Sequence, residues 1–400
     1  MKIFFSVGEP SGDLHGANLI RQLQKQHPAI ECVGYGGPKM AAAGCDLHED
    51  LTALSVMWLI RVIANIDKFW KLLVRADRFF RYERPDAVIL IDYPGFNWWI
   101  AWRAKAYGIP VYYYGTPQIW AWARWRVFRM RRYIDHAFCK LPFEQDWLRE
   151  RGCAATFVGH PYFDQLTQQK LDEQFVVSNH REEHLVTILP GSRTQEVQQN
   201  LHWLLKSAQR VHQKCPRARF AIAAYNDKLA KIATEMVRET DLPVEIRVGK
   251  TPELMKLATC CMACSGSVSL ELLYNTTPTV ILYHVGWLPY QIQKVFRKVK
   301  YITLVNLLAA DDPFDSDISP YDPTAPGAEK VLFPEYLTCE DKSAEIAEHV
   351  IEWLTDDVAR TKRIEQLAAL KEECCAPGAS KRATEQILKM LGCTKQPLAA

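Results

Sequence analysis

Glu9, Ser11 and Asp13 place an acid, a hydroxyl and a second acid in the turn Gly8-Glu9-Pro10-Ser11-Gly12-Asp13-Leu14-His15-Gly16, directly after the apolar run Ile3–Val7. Ile3–Val7 reads as a buried parallel strand, and Leu14, Ala17, Ile20 and Leu23 then recur at helical spacing. The glycines and proline let the backbone turn tightly and leave N–H groups bare at the helix start. Asp13 or Ser11 as N-cap is the plain account of the turn. A simple strand-to-helix turn needs no such set, so the three polar residues are also candidates for chemistry.

Asp92 follows the apolar run Ala87–Ile91 and precedes Tyr93-Pro94-Gly95-Phe96-Asn97. A carboxylate where a strand leaves its sheet could take a proton from a substrate hydroxyl; it could equally shape the turn or cap the next helix. Leu189-Pro190-Gly191-Ser192-Arg193-Thr194-Gln195-Glu196 repeats the order strand, turn, helix. Ser192 with Gln195 fits a capping box. Arg193 at a helix mouth suits a phosphate, because guanidinium and bare N–H groups act together there, or it is a surface cation. Ser265-Gly266-Ser267-Val268-Ser269-Leu270-Glu271 offers small residues as an uncrowded phosphate seat. Glu271, just over one helical turn in, could accept hydrogen bonds from both ribose hydroxyls of a nucleotide.

The elements that must position these residues are those of an α/β chain. Candidate strands at Ile3–Val7, Glu31–Gly34, Ala87–Ile91, Val111–Tyr114 and Phe157–Val158 alternate with longer periodic segments, the pattern of a parallel sheet covered by helices. A polar run over 165–184 reads as a linker. A second alternation follows: Leu185–Leu189, Arg219–Ala224, Val244–Val248, Cys261–Cys264 and Thr279–Tyr283. The expected fold is therefore two Rossmann-like, doubly wound domains, 1–164 and 185–355, facing a central cleft, with ligands outside the carboxyl ends of strands. Residues 309–330 form an acidic, Pro-rich loop, and helices over 356–400 are expected to pack back on the N-terminal domain.

The chain's 400 residues exceed what one hydrophobic core usually serves. Its 12 cysteines are scattered, several inside apolar runs, as in a reduced compartment. Cys261 and Cys264 form a C-x-x-C within a strand, with no second pair at zinc spacing, so no metal is expected. No signal peptide is visible, and no apolar stretch reaches the roughly 18 residues of a spanning helix. The expectation is a cytoplasmic protein that does not cross a bilayer.

The net charge of +3 hides an asymmetry: residues 1–160 hold 21 Lys and Arg against 15 Asp and Glu, the remainder 28 against 31. Arg124, Arg126, Arg129, Arg131 and Arg132 cluster beside Trp98, Trp99, Trp102, Trp120, Trp122 and Trp125. Val56–Phe80 and Trp287–Tyr301 also mix aromatics with cations. Such surfaces suit an interface rich in anionic lipid. Nucleic acid is not an expected partner, since the pI is near 8.2 and no nucleic-acid module is recognisable in the sequence.

The motifs converge on one family. Gly8-Glu9-Pro10-Ser11-Gly12-Asp13, Ile91-Asp92-Tyr93-Pro94-Gly95-Phe96-Asn97, Thr116-Pro117-Gln118-Ile119-Trp120-Ala121-Trp122, Leu141-Pro142-Phe143-Glu144, Val158-Gly159-His160-Pro161, Leu189–Arg193, Ser265-Gly266-Ser267 with Glu271, and Asn306-Leu307-Leu308 appear in the order found in lipid-A-disaccharide synthases, which the chain resembles. A UDP-sugar epimerase of similar fold would share the diphosphate seat but not the runs at 91–97 and 116–122. The acidic loop before Phe333-Pro334-Glu335 departs from the family pattern.

The resemblance implies a GT-B glycosyltransferase joining UDP-2,3-diacylglucosamine to 2,3-diacylglucosamine 1-phosphate. The products would be a β-1,6-linked disaccharide 1-phosphate and UDP, formed during lipid A and lipopolysaccharide synthesis. It implies no cofactor or metal, a peripheral location on the cytoplasmic face of the bacterial inner membrane, and room for a homodimer. On that reaction Asp92 is the expected base, with Glu9 its rival. Arg193, Ser192, Ser265, Gly266, Ser267 and Glu271 are expected to hold the UDP donor. Ser11, Gln118 and Asn306 are expected cleft residues positioning sugar or diphosphate. Val56–Phe80 and Arg124–Arg132 are the expected lipid contacts.

Overall fold

The computed structural model describes residues 1–54 and 66–393, which form two compact units. The first contains Met1–Thr167 together with the chain from Ala376 onward; the second is Gln168–Cys375.

The first unit is built on seven parallel strands: β1 (Lys2–Val7), β2 (Glu31–Gly36), β3 (Cys45–Asp50), β4 (Ala87–Ile91), β5 (Val111–Tyr114), β6 (His136–Cys139) and β7 (Ala155–Phe157). Their spatial order is β3-β2-β1-β4-β5-β6-β7. β1 pairs with β2 on one side and β4 on the other, with Val7 beside Ile91. The winding reverses at that pair, so the chain leaves the sheet in opposite senses and opens a crevice beyond Val7 and Ile91. All five residues of β4 are buried. A strand covered on both faces has no polar side to show, which explains its unbroken Ala-Val-Ile-Leu-Ile.

The second unit repeats the plan with six parallel strands: β8 (Leu185–Leu189), β9 (Arg219–Ala224), β10 (Val244–Val248), β11 (Cys260–Cys264), β12 (Thr279–His284) and β13 (Glu335–Thr338). Their order is β10-β9-β8-β11-β12-β13, with the reversal between β8 and β11. The core joins Val186, Ile188 and Ile222 of the sheet to Val197, Leu201, Leu204 and Ala208 of the helix Thr194–Lys214. Cys261 and Cys264 are buried in β11, and burial pushes both thiols up.

Several expectations change. β3, β6 and β13 were not among the expected strands; half of the residues of β3 are exposed, and its Cys-Asp-Leu-His-Glu-Asp carries no apolar run. Residues 165–184 are not a bare linker, because they include the helix Glu173–Asn179, capped by Asp172 Oδ1 at 3.0 Å from the Phe175 N–H. Asp172 is itself tied to the second unit: its N–H donates to Glu253 and its carboxylate pairs with Lys250 at 2.6 Å. The helix Asp357–Cys374, expected to return to the first unit, stays with the second, where Arg363 donates to the Val331 carbonyl. The helix Ala379–Met390 belongs to the first unit. Asp164 accepts from the N–H groups of Gly378, Ala379 and Ser380 at that helix's start, offsetting the orphan donors there. Among the described residues, no helix is long and apolar enough to cross a membrane.

Candidate active site

In the first unit the expected base sits at the switch point. The chain leaves β4 with Asp92 at φ 47° and Tyr93 at φ 44°, both left-handed, before Pro94 opens the helix Pro94–Ala106. For residues with a Cβ this costs on the order of 1–2 kcal/mol each, and such strain persists only where neighbours over-determine it. Here they do. Asn97, fully buried, donates Nδ2 to the Asp92 carbonyl at 2.8 Å and accepts at Oδ1 from Ser6 Oγ at 2.6 Å. The Tyr113 hydroxyl donates to the same Asp92 carbonyl.

The glycines of the first turn make room for this corner. A Cβ on Gly8 would lie 2.4 Å from Tyr93 Cγ, and one on Gly12 would lie 2.9 Å from Val7 and 3.3 Å from Asp92 Oδ2. Asp13 is not the cap of its own helix. It is buried and accepts from the N–H groups of Gly37, Lys39 and Met40 at 2.9–3.0 Å, capping the next helix, Pro38–Ala42. A buried carboxylate with that many donors is fully used.

Lys140 Nζ lies 3.5 Å from Asp92 Oδ1, and both side chains are mostly buried. Burial works against the Lys140 charge, but Asp92, Glu144 and Glu9 more than offset it and raise the ammonium pKa. Glu144 is buried and accepts from the N–H groups of Lys140 and Leu141 and from Trp120 Nε1 at 2.9 Å. That explains the run Leu141–Glu144 and the need for Trp120. Burial raises the Glu144 pKa, partly countered by Lys140.

His15, buried on the first helix, feels the charges of Asp92 and Lys140; desolvation lowers its pKa to about 4. Its Nδ1 has no hydrogen-bond partner among the described residues, and its ring meets His160 edge-on at 6.5 Å. Glu9 is half-buried, near enough for its charge to act on Lys140 and Tyr93. Ser11 and Gln118 are exposed. Asn97, Lys140 and His15 were absent from the expected site residues. Asn97 stands inside the motif at 91–97, but only the fold turns its carboxamide back onto Asp92.

In the second unit, Gly191 adopts φ +123°, and a Cβ there would lie 2.5 Å from the Glu196 side chain. Glu196 Oε2 accepts from the N–H groups of Ser192 and Arg193 at 2.9 and 3.2 Å. The cap is thus one residue later than expected: Arg193 is the N-cap and Glu196, not Gln195, folds back. Arg193 Nη1 pairs with Glu196 Oε1 at 2.8 Å, while its side chain stays largely exposed. The Arg193 charge reaches Cys264 and Tyr283, at the ends of β11 and β12.

Ser265, Gly266 and Ser267 follow β11, with open space above Gly266, where a Cβ would meet nothing within 4 Å. Ser265 Oγ donates to the Ile302 carbonyl at 3.4 Å. Glu271 lies half-buried in the first turn of the helix Val268–Tyr274. Asn306 is engaged by another segment. It is buried, donates Nδ2 to the Phe333 carbonyl at 2.7 Å and to Glu335 at 2.9 Å, and accepts at Oδ1 from the Phe333 N–H. Every polar atom of its carboxamide is used in fastening β13, so a sugar or diphosphate would have to break that lock.

The aromatic clusters divide. Trp98 and Trp120 are core, whereas Trp99, Trp102, Trp122, Trp125 and Phe128 are exposed. Arg126 lies over Trp122 at 4.7 Å and over Trp125 at 5.3 Å, and Arg129 over Phe128 at 5.7 Å. Of the expected contact Val56–Phe80, residues 56–65 lie outside the described residues; beyond them, Ile66 and Trp70 are exposed.

Comparison with known proteins gives the family and the fold. The family model described as lipid-A-disaccharide synthetase matches residues 3–357. A lipid-A-disaccharide synthase of Trichlorobacter lovleyi is 30% identical over 394 residues, covering 98% of this chain and 97% of that one. A UDP co-structure of MnaA from S. aureus shares the fold, with a TM-score of 0.65 at 12% identity over 99% of this chain and 98% of that one. The calicheamicin glycosyltransferase CalG4 does so with a TM-score of 0.57 at 12% identity over 98% of each chain. Two doubly wound sheets and a family match over nearly their whole length make this chain a member of the lipid-A-disaccharide synthase family, glycosyltransferases of the GT-B fold that form the lipid A disaccharide.

Proposed function

We propose that the protein transfers the sugar of UDP-2,3-diacylglucosamine to the 6-hydroxyl of 2,3-diacylglucosamine 1-phosphate with inversion, releasing UDP. The step serves lipopolysaccharide synthesis at the cytoplasmic face of the inner membrane. The observation that carries this reading is Asp92: a carboxylate held by a strained corner at the switch point, beside a buried ammonium. Structure is rarely strained without a functional return.

Asp92 takes the proton of the attacking hydroxyl as the new bond forms at C1 on the face opposite the leaving group. Lys140 keeps that carboxylate oriented and balances its charge within a mostly buried setting. Glu9, the rival base, contributes negative charge to the same corner. His15, neutral at neutral pH because burial depresses its pKa, is free to hydrogen-bond without adding charge.

The second unit grips the nucleotide. Arg193 and the main-chain N–H groups around Ser265–Ser267 meet the charge that grows on the diphosphate, and Glu271 holds the ribose. Fixed dipoles and a cation already in place need little reorganisation as charge develops. We propose that this stabilisation works without a resident cofactor. The Arg-over-Trp surface at 122–129 is the proposed contact with anionic lipid.

The test is turnover of UDP-2,3-diacylglucosamine and the monosaccharide 1-phosphate by purified protein, with the lipid product read by mass spectrometry. Asp92→Ala should lower turnover by roughly 10²–10⁴-fold while UDP still binds. Wild-type protein that forms no disaccharide overturns the reaction; an Asp92→Ala variant that turns over normally overturns the base.

A further inference from the structure

The second unit carries an apolar surface that the transfer chemistry does not use. After β12, Gly286 opens the helix Trp287–Phe296, none of whose residues is buried. Leu288, Ile292, Val295 and Phe296 recur at three- and four-residue spacing, so they share one side, with Trp287 at its margin. Their exposures are 61%, 50%, 66%, 59% and, for Trp287, 66%. A helix of a soluble fold normally turns such a stripe to the core.

The other side is the one held. Tyr290, Lys294 and Arg297 line a cavity of about 620 Å³ whose opposite wall is the acidic loop 309–330. Arg297 donates to the Ile318 carbonyl, the Lys300 N–H donates to the Pro313 carbonyl at 3.1 Å, and Lys300 Nζ pairs with Asp315 at 2.8 Å. The loop braces the helix from behind and leaves its apolar side outward. Between Trp287 and Tyr301 stand Lys294, Arg297, Lys298 and Lys300 and no acid; Lys294 and Lys298 are exposed. An apolar face with the cation Lys298 at its end and no acid in the stretch complements a surface that is apolar beneath and anionic above.

We infer that Trp287–Phe296 is an interfacial helix that lies on an anionic lipid bilayer, with Leu288, Ile292, Val295 and Phe296 at the headgroup–acyl boundary and Lys298, whose Nζ lies 3.2 Å from the Val295 carbonyl at the end of that side, toward lipid phosphates. The inference rests on the lipid-linked substrates proposed above, and adds a lipid contact on the nucleotide-gripping unit. The acidic loop then serves to present the helix to the bilayer.

The experiment is sedimentation of the full chain with vesicles of equal parts phosphatidylcholine and phosphatidylglycerol, and with phosphatidylcholine alone. Ile292→Ser/Val295→Ser/Phe296→Ser should lower partition onto the mixed vesicles by roughly ten-fold or more. It should do so also in an Arg126→Glu/Arg129→Glu background, since the two surfaces act independently. Lys298→Gln should weaken binding to the mixed vesicles by about five-fold and reduce its salt dependence, with binding to phosphatidylcholine unchanged. Both variants should keep wild-type turnover of detergent-dispersed substrates. Unchanged partition of the triple variant overturns the inference. So does lipid-free self-association in sedimentation velocity that the triple variant abolishes, because a second copy would then cover the stripe. Failure of wild-type protein to turn over dispersed substrates would instead count against the proposed reaction, and is read separately from vesicle binding.

Discussion

The Asn97 carboxamide holds the Asp92 carbonyl at 2.8 Å while its own oxygen is held by Ser6, so β1 and the corner after β4 are stitched together by one buried side chain. Asn97→Ala leaves the Ser6 hydroxyl and the Asp92 carbonyl each short of a partner. Unmet buried polar groups cost about 1–3 kcal/mol, a loss to be read from urea unfolding. Turnover should fall further than stability accounts for, because the corner can relax toward ordinary φ and carry the carboxylate with it. Affinity for UDP, assigned to the second unit on the proposed reading, should stay within about two-fold.

Two glycines should respond oppositely to a single methyl. Gly8→Ala drives a Cβ into the Tyr93 ring; overpacking of this kind costs about 1–3 kcal/mol, and a displaced corner costs roughly 10²-fold in turnover. Gly266→Ala meets nothing, so its melting temperature should match the wild type. It narrows the proposed diphosphate seat, and calorimetric titration should show weaker UDP binding. A Gly8→Ala enzyme with normal kcat would show that the corner does not need its present shape.

Arg193 separates binding from folding. Its side chain is largely exposed, and its ion pair with Glu196 lies at a helix start. Exposed ion pairs of this kind are worth about 0–1 kcal/mol, so Arg193→Ala should leave thermal unfolding nearly unchanged. A hydrogen bond to a charged group is worth about 1.5–3 kcal/mol, so the Kd for UDP should rise by roughly ten- to a hundred-fold. Equal affinity in the variant would remove Arg193 from the donor grip.

A half-buried histidine makes the second unit acid-sensitive. Burial lowers the His349 pKa to about 4, and its Nε2 lies 2.9 Å from the Tyr336 hydroxyl. The unfolded chain binds a proton near pH 6.5 that the folded chain refuses until about pH 4, so stability falls as pH drops through that window and is unaffected above it. At pH 5 the share of one such group is roughly 2 kcal/mol. His349→Gln should flatten the fall in urea midpoint between pH 7 and pH 5; an identical slope in the variant would place the proton uptake elsewhere.

Periodicity alone located both sheets, because strands buried on two faces must be apolar throughout: β4, β5, β8 and, after Arg219, β9 stand where the runs of hydrophobic residues lie. It missed β6, and also β3, half of whose residues are exposed, and β13, whose Glu335 is buried yet charged in type. Glu335 is tolerated because Ile302, Thr303 and Asn306 all donate to it, an arrangement across some thirty residues that no local pattern announces. Local chemistry misread Asp13 for the same reason. A side chain's type says what it can bond, while its partner is chosen by which distant backbone arrives beside it.

From the residue order alone came the α/β alternation, the motif set of a lipid-A-disaccharide synthase and Asp92 at a strand's end, since composition and short-range spacing decide each of these. The left-handed corner, the Asn97 and Lys140 that hold it, the shift of the second cap from Gln195 to Glu196, and the outward face of Trp287–Phe296 came only with the tertiary structure. They depend on contacts between segments far apart in sequence, and those contacts exist only once the sheets have brought the segments together.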